Sequence, residues 1–268
     1  LLYHESVCGQ SGHLQKPGGR AQRLMRIPRC HVDMALAADT EVTLPEAAAR
    51  HLRQVLRLRP GDESILFNGR DGKDYRASLM SLRKQAVTMR ITSAGAVEPA
   101  PVMAIHLAIG ISKGTLMDFA MQYAVELGVS SISPLITERT VVRLPVERMA
   151  RRMNHWQGII IHACEQSGRR WLPPLSQVQR LDNWLRDNSI PGLLLDSEAE
   201  NCLPDLPRPE TRICILVGPE GGLSTREKQL AGTKDLTGVR LGPRIMRTET
   251  APLAAIAAMQ VCWGDFRQ

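Results

Sequence analysis

The residues best suited to chemistry lie in two glycine-rich turns near the end of the 268-residue chain. The first is Val217-Gly218-Pro219-Glu220-Gly221-Gly222-Leu223; the second is Leu241-Gly242-Pro243-Arg244-Ile245-Met246-Arg247-Thr248-Glu249-Thr250-Ala251. An apolar run, Ile213 to Val217, leads into the first turn and has the length of a buried strand. Ser224-Thr225-Arg226-Glu227 follows as a capping box, in which the Ser hydroxyl and the Glu carboxylate satisfy orphan helix N–H groups. Strand, glycine turn and helix start bring backbone N–H groups against a ligand, because glycine has no Cβ in the way. Two such turns in tandem predict a ligand site made mostly of backbone. The second turn also carries the charged pair Arg247 and Glu249. A purely structural pairing of Arg247 with Glu249 fits the same spacing. Thr248 and Thr250, ahead of Pro252, suit helix capping.

Neither turn fits the dinucleotide pattern G-x-G-x-x-G, and the chain has no G-x-x-x-x-G-K-[ST] phosphate loop. NAD and nucleoside triphosphates are therefore poor candidates. The six cysteines (Cys8, Cys30, Cys164, Cys202, Cys214 and Cys262) form no C-x-x-C pair, and no His stands at zinc-finger spacing from one. They read as reduced packing residues, and no metal site is expected. Cys164 neighbours His162 and Glu165, but side chains so close along one helix diverge.

The elements that must position these turns fall into two regions. Residues 1–24 mix Gly, Gln, His and Ser without periodicity and read as a disordered extension. Over residues 25–93, short strand candidates such as Glu63 to Phe67 and Ala86 to Ile91 alternate with turn chemistry at Gly61-Asp62 and Asn68-Gly69-Arg70-Asp71-Gly72. Pro45 to Leu56 has the pattern of a short helix. Residues 94–101, with two prolines and no apolar period, read as a linker. From residue 102 to 268 the pattern is α/β: strands are expected at Ile105–Ile109, Ile132–Ile136, Leu193–Leu195, Ile213–Val217 and Val239–Leu241. Helices are expected at Leu116–Leu127 and Val146–Gln166. That alternation implies a parallel sheet covered on both faces. The segment Ala251 to Trp263 is apolar on most faces and needs cover on both sides. Net charge is +7, and the surplus lies almost wholly before residue 96: residues 1–24 carry three basic against one acidic residue, residues 25–95 twelve against eight, and residues 96–268 nineteen against eighteen. An anionic partner, nucleic acid first, is the natural expectation. No apolar run approaches the ~18 residues of a membrane span, and residues 1–24 lack a signal peptide's apolar segment, so a cytoplasmic protein is expected.

The two turns, with Met25-Arg26-Ile27-Pro28-Arg29, Arg50-His51-Leu52-Arg53-Gln54-Val55-Leu56-Arg57, Thr137-Glu138-Arg139 and His162-Ala163-Cys164-Glu165-Gln166-Ser167-Gly168-Arg169, resemble the signature segments of the RsmE family. That family belongs to the SPOUT methyltransferases, and the likeness runs from Met25 to the C-terminus. The resemblance implies an N-terminal PUA-like small β-barrel that holds RNA through Arg26, Arg29, Arg53 and Arg57, and a C-terminal SPOUT α/β domain with a parallel sheet and a trefoil knot. It implies S-adenosyl-L-methionine as cofactor, held by Leu195, Val217, Gly218, Pro219, Glu220, Gly222, Leu241, Gly242, Ile245, Met246, Arg247 and Thr248. The implied reaction is methylation of uridine N3 in small-subunit ribosomal RNA (uridine 1498 of 16S rRNA), within an assembled or assembling 30S particle. For that reaction Arg247, or in second place Arg244, is the candidate to stabilise charge developing on uracil, Glu249 or Glu220 the candidate to accept the proton, and the final helix joins a homodimer interface. Glu165, Gln166 and Arg169 end a helix that faces the same cleft or serve as surface hydrogen-bonding groups. Two further readings stay open: a SPOUT ribose 2′-O-methyltransferase, and a non-catalytic RNA-binding assembly factor that keeps the fold.

Overall fold

A computed structural model describes residues 27–83, 86–141 and 145–267. The expected extension, residues 1–24, and Arg26 lie outside these described residues. The first unit contains β1 (Arg29–His31), β2 (Glu41–Thr43), α1 (Glu46–Arg50), β3 (Glu63–Phe67), β4 (Tyr75–Leu82) and β5 (Val87–Ala94). Helix α1 runs on as a π-helical turn over His51–Val55, which matches the expected Pro45–Leu56 helix. The sheet order is β1-β3-β4-β5-β2, antiparallel except for the β1–β3 pair, and among the described residues its ladder does not close on itself. The β3–β4 connection forms because Asn68 Oδ1 accepts the Arg70 and Asp71 N–H groups, a side-chain turn that reverses the chain. Leu52, Leu66, Leu79, Val87, Met89 and Ile91 fill this unit's core.

The second unit contains β6 (Ala104–Gly110), α2 (Thr115–Glu126), β7 (Ser131–Ile136), α3 (Val146–Ser167), β8 (Gln179–Arg180), α4 (Leu181–Asp187) and β9 (Gly192–Leu195). It continues through β10 (Asn201–Cys202), β11 (Arg212–Val217), α5 (Thr225–Gly232), β12 (Leu236–Arg240) and α6 (Thr250–Trp263). All seven strands are parallel, in the order β10-β12-β9-β11-β6-β7-β8. Alternate residues of β11 face opposite sides. Ile213, Ile215 and Val217 join a core with α2, α3 and α6, whereas Cys214 and Leu216 join another with α4 and α5. The sheet is thus covered on both faces, as the alternation of elements requires. Strand β12 lies between β9 and β10 although those two are consecutive in the chain. Residues 196–200 cross over it, tied down by Asp196 N–H to Val239 O at 3.0 Å and by Arg240 Nη1 to Ala199 O and Glu200 O at 2.8 and 2.7 Å.

The seam between the units combines Phe67, buried in the second unit's core, with a set of polar contacts, and it reassigns three residues. Arg29 is not available to RNA: its guanidinium donates to Cys164 O, Arg169 O and Asp74 and stacks on the Phe67 ring. Glu165 accepts the His31 N–H and His162 Nδ1, both at 2.9 Å, with His51 Nε2 4.0 Å away. Arg169 donates to Val125 O and Val129 O, so both residues bind one part of the fold to another, and neither lines the cavity described below. Helix α6 finds much of the cover it needs within the subunit. It buries Pro252, Ala255, Ile256, Met259, Gln260 and Trp263 within the subunit, and Leu253, Ala254, Ala257, Ala258 and Cys262 are half-buried.

Candidate active site

A cavity of about 370 Å³ opens at the C-terminal ends of β9, β11 and β12. Ligands of open parallel sheets bind at that edge, where successive loops diverge. Three segments, 194–198, 217–223 and 239–251, build its wall, and Arg139 and Lys228 complete it. Every residue expected to hold a cofactor lines it except Arg247. Arg247 stands between the lining residues Met246 and Thr248 with its own side chain exposed.

In the first turn Gly222 N–H donates to Pro219 O at 2.7 Å, and Gly222 sits at φ +67°. In the second, Gly242 sits at φ +81°. Both conformations favour glycine, and a Cβ at either would meet no protein atom within 4 Å. The two glycines therefore leave open space at the cavity wall. Gly218 has another purpose: a Cβ there would lie 2.8 Å from Gly222 C and 2.9 Å from Leu223 N, so its absence lets the turn close. The capping box forms as expected, with Ser224 Oγ accepting Glu227 N–H and Glu227 Oε2 accepting Ser224 N–H. Glu227 is 1% exposed, and its other oxygen accepts Glu138 N–H at 2.8 Å. Such burial is tolerable because both carboxylate oxygens are satisfied by main-chain donors.

Sequence reasoning misses Lys228, although it stands one helical turn after the capping Ser224. Its Nζ lies 2.9 Å from Asp196 and 3.1 Å from Glu198, both on the wall. Burial alone would lower this ammonium, but the two carboxylates outweigh it and hold it above its ordinary value. Glu220 Oε1 accepts Lys113 N–H at 2.7 Å, which leaves its second oxygen toward solvent or substrate. Among the described residues Arg244 and Arg247 make no side-chain hydrogen bond or ion pair, so the structural pairing of Arg247 with Glu249 does not form. Glu249 is half-buried, lies outside the cavity lining and is the N-cap of α6, without a side-chain cap bond. Capping by Thr248 or Thr250 does not form either. Burial pushes the Cys164 thiol up to about 11, which suits packing and opposes nucleophilic chemistry. Among the described residues no group of three His, Cys, Asp or Glu side chains could hold a metal ion, and no helix is long and apolar enough to cross a membrane.

The chain thus joins a small β-sheet unit to a parallel α/β domain with a glycine-walled cavity at its strand ends. The RNA methyltransferase domain matches residues 98–260, and the RNA methyltransferase PUA domain matches residues 44–91. Ribosomal RNA small subunit methyltransferase E of Synechocystis sp. is 33% identical over 231 residues, 82% of this chain and 72% of that protein. The solved enzyme of the same name from Neisseria gonorrhoeae, bound to S-adenosyl methionine, is 40% identical with a TM-score of 0.83 and covers 90% of this chain and 100% of its own. A Legionella pneumophila methyltransferase solved with SAM is 38% identical, with a TM-score of 0.86 and the same coverage. The chain belongs to the ribosomal RNA small subunit methyltransferase E family and is an RNA methyltransferase.

Proposed function

We propose that the chain methylates N3 of a uridine in small-subunit ribosomal RNA, uridine 1498 of 16S rRNA by family resemblance, with S-adenosylmethionine as donor. The observation that carries this reading is the cavity between the paired glycine turns, in a chain whose solved relatives hold that cofactor. The fit is good on three counts. The volume lies in the range of small-molecule sites, about 300–1,000 Å³. Gly222 and Gly242 keep side chains out of the space. The wall carries both signs of charge, in Asp196, Glu198 and Lys228, for a ligand that itself carries both. When bound, the cofactor supplies an electrophilic methyl group.

The chain's own task is to make uridine N3 a nucleophile. N3 must lose its proton, and negative charge then develops on the neighbouring carbonyl oxygens. Arg247, exposed and without a partner among the described residues, is the guanidinium assigned to that charge. Glu249 is the proposed proton acceptor, with the free oxygen of Glu220 second. Exposed Arg57 and half-buried Arg53 contribute to RNA binding from the N-terminal unit. The position of β12 beneath the 196–200 crossing supports a trefoil knot, with the chain after β12 threaded through that loop to reach α6. Exposed Phe119 and Tyr123 on α2, stacked 6.2 Å apart, together with half-buried Leu253 and Ala257 on α6, support a homodimer across these helices. The setting is the 30S particle or its precursor, hence the cytoplasm.

The test combines substrate mapping with one substitution. Purified protein is incubated with S-adenosylmethionine and undermethylated 30S subunits, and the modified nucleoside is located by mass spectrometry. A base-methylated uridine is expected; methyl on a ribose oxygen overturns the reading. Arg247→Ala is expected to lower single-turnover rate about 10²–10³-fold at saturating cofactor, as for a lost oxyanion donor. Loss confined to cofactor binding would remove Arg247 from the reaction.

A further inference from the structure

Arg139 lines the cavity, yet the reaction chemistry above gives it no role. It sits in the loop after β7, far in sequence from both glycine turns. Its Nη1 donates to Gly221 O at 2.9 Å, and its stem packs on the same residue: a Cβ on Gly221 would lie 3.2 Å from Arg139 Cβ. The loop that carries it is itself latched, because Glu138 N–H donates to buried Glu227 and the Glu138 carboxylate meets Arg226 at 2.6 Å. Arg226 in turn grips Asp182 through both carboxylate oxygens, at 3.0 and 2.8 Å.

The turn needs such outside support. Its own hydrogen bond, Gly222 N–H to Pro219 O, leaves the Gly221 carbonyl unused, and two adjacent glycines give it wide conformational freedom. Three neighbours remove that freedom. Gly110 abuts Pro219, where a Cβ would lie 2.5 Å from Pro219 Cδ; Lys113 N–H holds Glu220; Arg139 holds Gly221. Of these only Arg139 is a side chain reaching in from solvent.

We infer that Arg139 is a positioning residue of the methyl-donor pocket: by holding the Gly221 carbonyl it presets the 218–222 turn in its ligand-receiving form. The inference rests on the cavity being the S-adenosylmethionine site. A preset turn loses less freedom on binding, so the benefit falls on cofactor affinity rather than on the chemical step.

The test is calorimetric titration of S-adenosylmethionine into full-length wild type, Arg139→Met and Arg139→Lys. Single-turnover methylation at saturating cofactor and unfolding temperature are measured alongside. Arg139→Met is expected to bind the cofactor about tenfold more weakly, the scale of one charge-assisted hydrogen bond. Saturated turnover should stay within about twofold of wild type, and Arg139→Lys, which can still donate to a carbonyl, should recover part of the affinity. Because the side chain is exposed, the unfolding temperature should not move. Unchanged affinity in Arg139→Met overturns the proposal, as does unchanged affinity with slower saturated turnover, the sign of a substrate contact. A fall in unfolding temperature matching the affinity loss also overturns it, in favour of a general structural role. Wild type that binds no S-adenosylmethionine overturns the pocket reading itself, an outcome distinct from the others.

Discussion

Arg29→Ala is expected to loosen the seam between the two units, on a scale set by the hydrogen bonds of this one side chain. The Arg29 side chain is 6% exposed and donates to Cys164 O at 2.7 Å, Arg169 O at 3.1 Å and Asp74 at 2.6 Å. Truncation strips all three acceptors of this donor. Breaking a buried ion pair from one side costs about 3–5 kcal/mol. Asp74 keeps 23% exposure and has Arg170 3.4 Å away, so water and that neighbour offset part of the loss. The lower end, about 3 kcal/mol, is the appropriate figure. At about 2–4 °C per kcal/mol for a chain of this size, Tm should fall by about 6–12 °C. Arg29→Lys should fall between, because an ammonium keeps the charge without the planar fork. Scanning calorimetry gives Tm, and RNA titrations across salt concentrations give the electrostatic contribution. A residue that contacts phosphate shows the opposite pattern, with unchanged Tm and a salt slope shallower by about one, which is the expectation for exposed Arg57→Ala. An Arg29→Ala protein melting within about 2 °C of wild type refutes the placement of this side chain in the seam.

Gly242→Val should abolish S-adenosylmethionine binding measured by calorimetry, since a Cβ at this φ +81° position is strained and borders the cavity; wild-type affinity would count against the backbone pocket. Gly218→Val should do the same by a different route, opening the turn against Gly222 and Leu223, and should alter proteolysis of residues 217–223 as well. For the dimer, Ile256 is a poor probe because it is fully buried within the subunit. Phe119→Asp with Tyr123→Asp should instead convert a dimer to a monomer in sedimentation velocity, and wild type sedimenting as a monomer at micromolar concentration would end the idea. At the seam, the hydrogen bond to Glu165 holds His162 above its ordinary 6.5. Burial raises Glu165, but hydrogen bonds from His162 and the His31 N–H outweigh it and hold Glu165 below its ordinary 4.5. The pair is therefore fully stabilising between pH 4.5 and 6.5, fading as pH rises through the raised His162 value or falls through the lowered Glu165 value. Tm should decline above pH 6.5 more steeply in wild type than in His162→Ala; parallel profiles would show that the pair contributes nothing.

What is legible in the sequence is what is encoded locally. The strand before Gly218, the Ser224–Glu227 box and the helical repeats of α2 and α3 are each written within one window, and each forms where expected. Strand β4 is hard to see because its alternation places Ala77 between polar Arg76 and Ser78, and an irregular register between Leu79 and Ser81 breaks the period. Helix α4 buries Leu181, Trp184 and Leu185 with the right spacing, but seven residues are too few to establish a period. Strand β12 runs from Leu236 to Arg240, so it starts three residues before the expected Val239 and ends one before Leu241.

Side chains whose partners lie far along the chain leave no such trace, and the arginines show why. Arg29, Arg139 and Arg247 look alike in a one-dimensional reading, as basic residues within motifs. Their surroundings separate them. Arg29 faces carbonyls more than a hundred positions away and is consumed by them. Arg139 spends one N–H on a carbonyl 82 positions away and keeps the rest of its fork at the cavity. Arg247 has no side-chain partner among the described residues. A guanidinium already satisfied cannot stabilise charge that appears only during reaction, because its donors would first have to leave their acceptors. Of the three, Arg247 alone keeps all its donors available to a substrate, a property it shares with Arg244 of the same turn; that availability, which no spacing rule contains, is the physical ground of the proposal that Arg247, or in second place Arg244, serves the reaction.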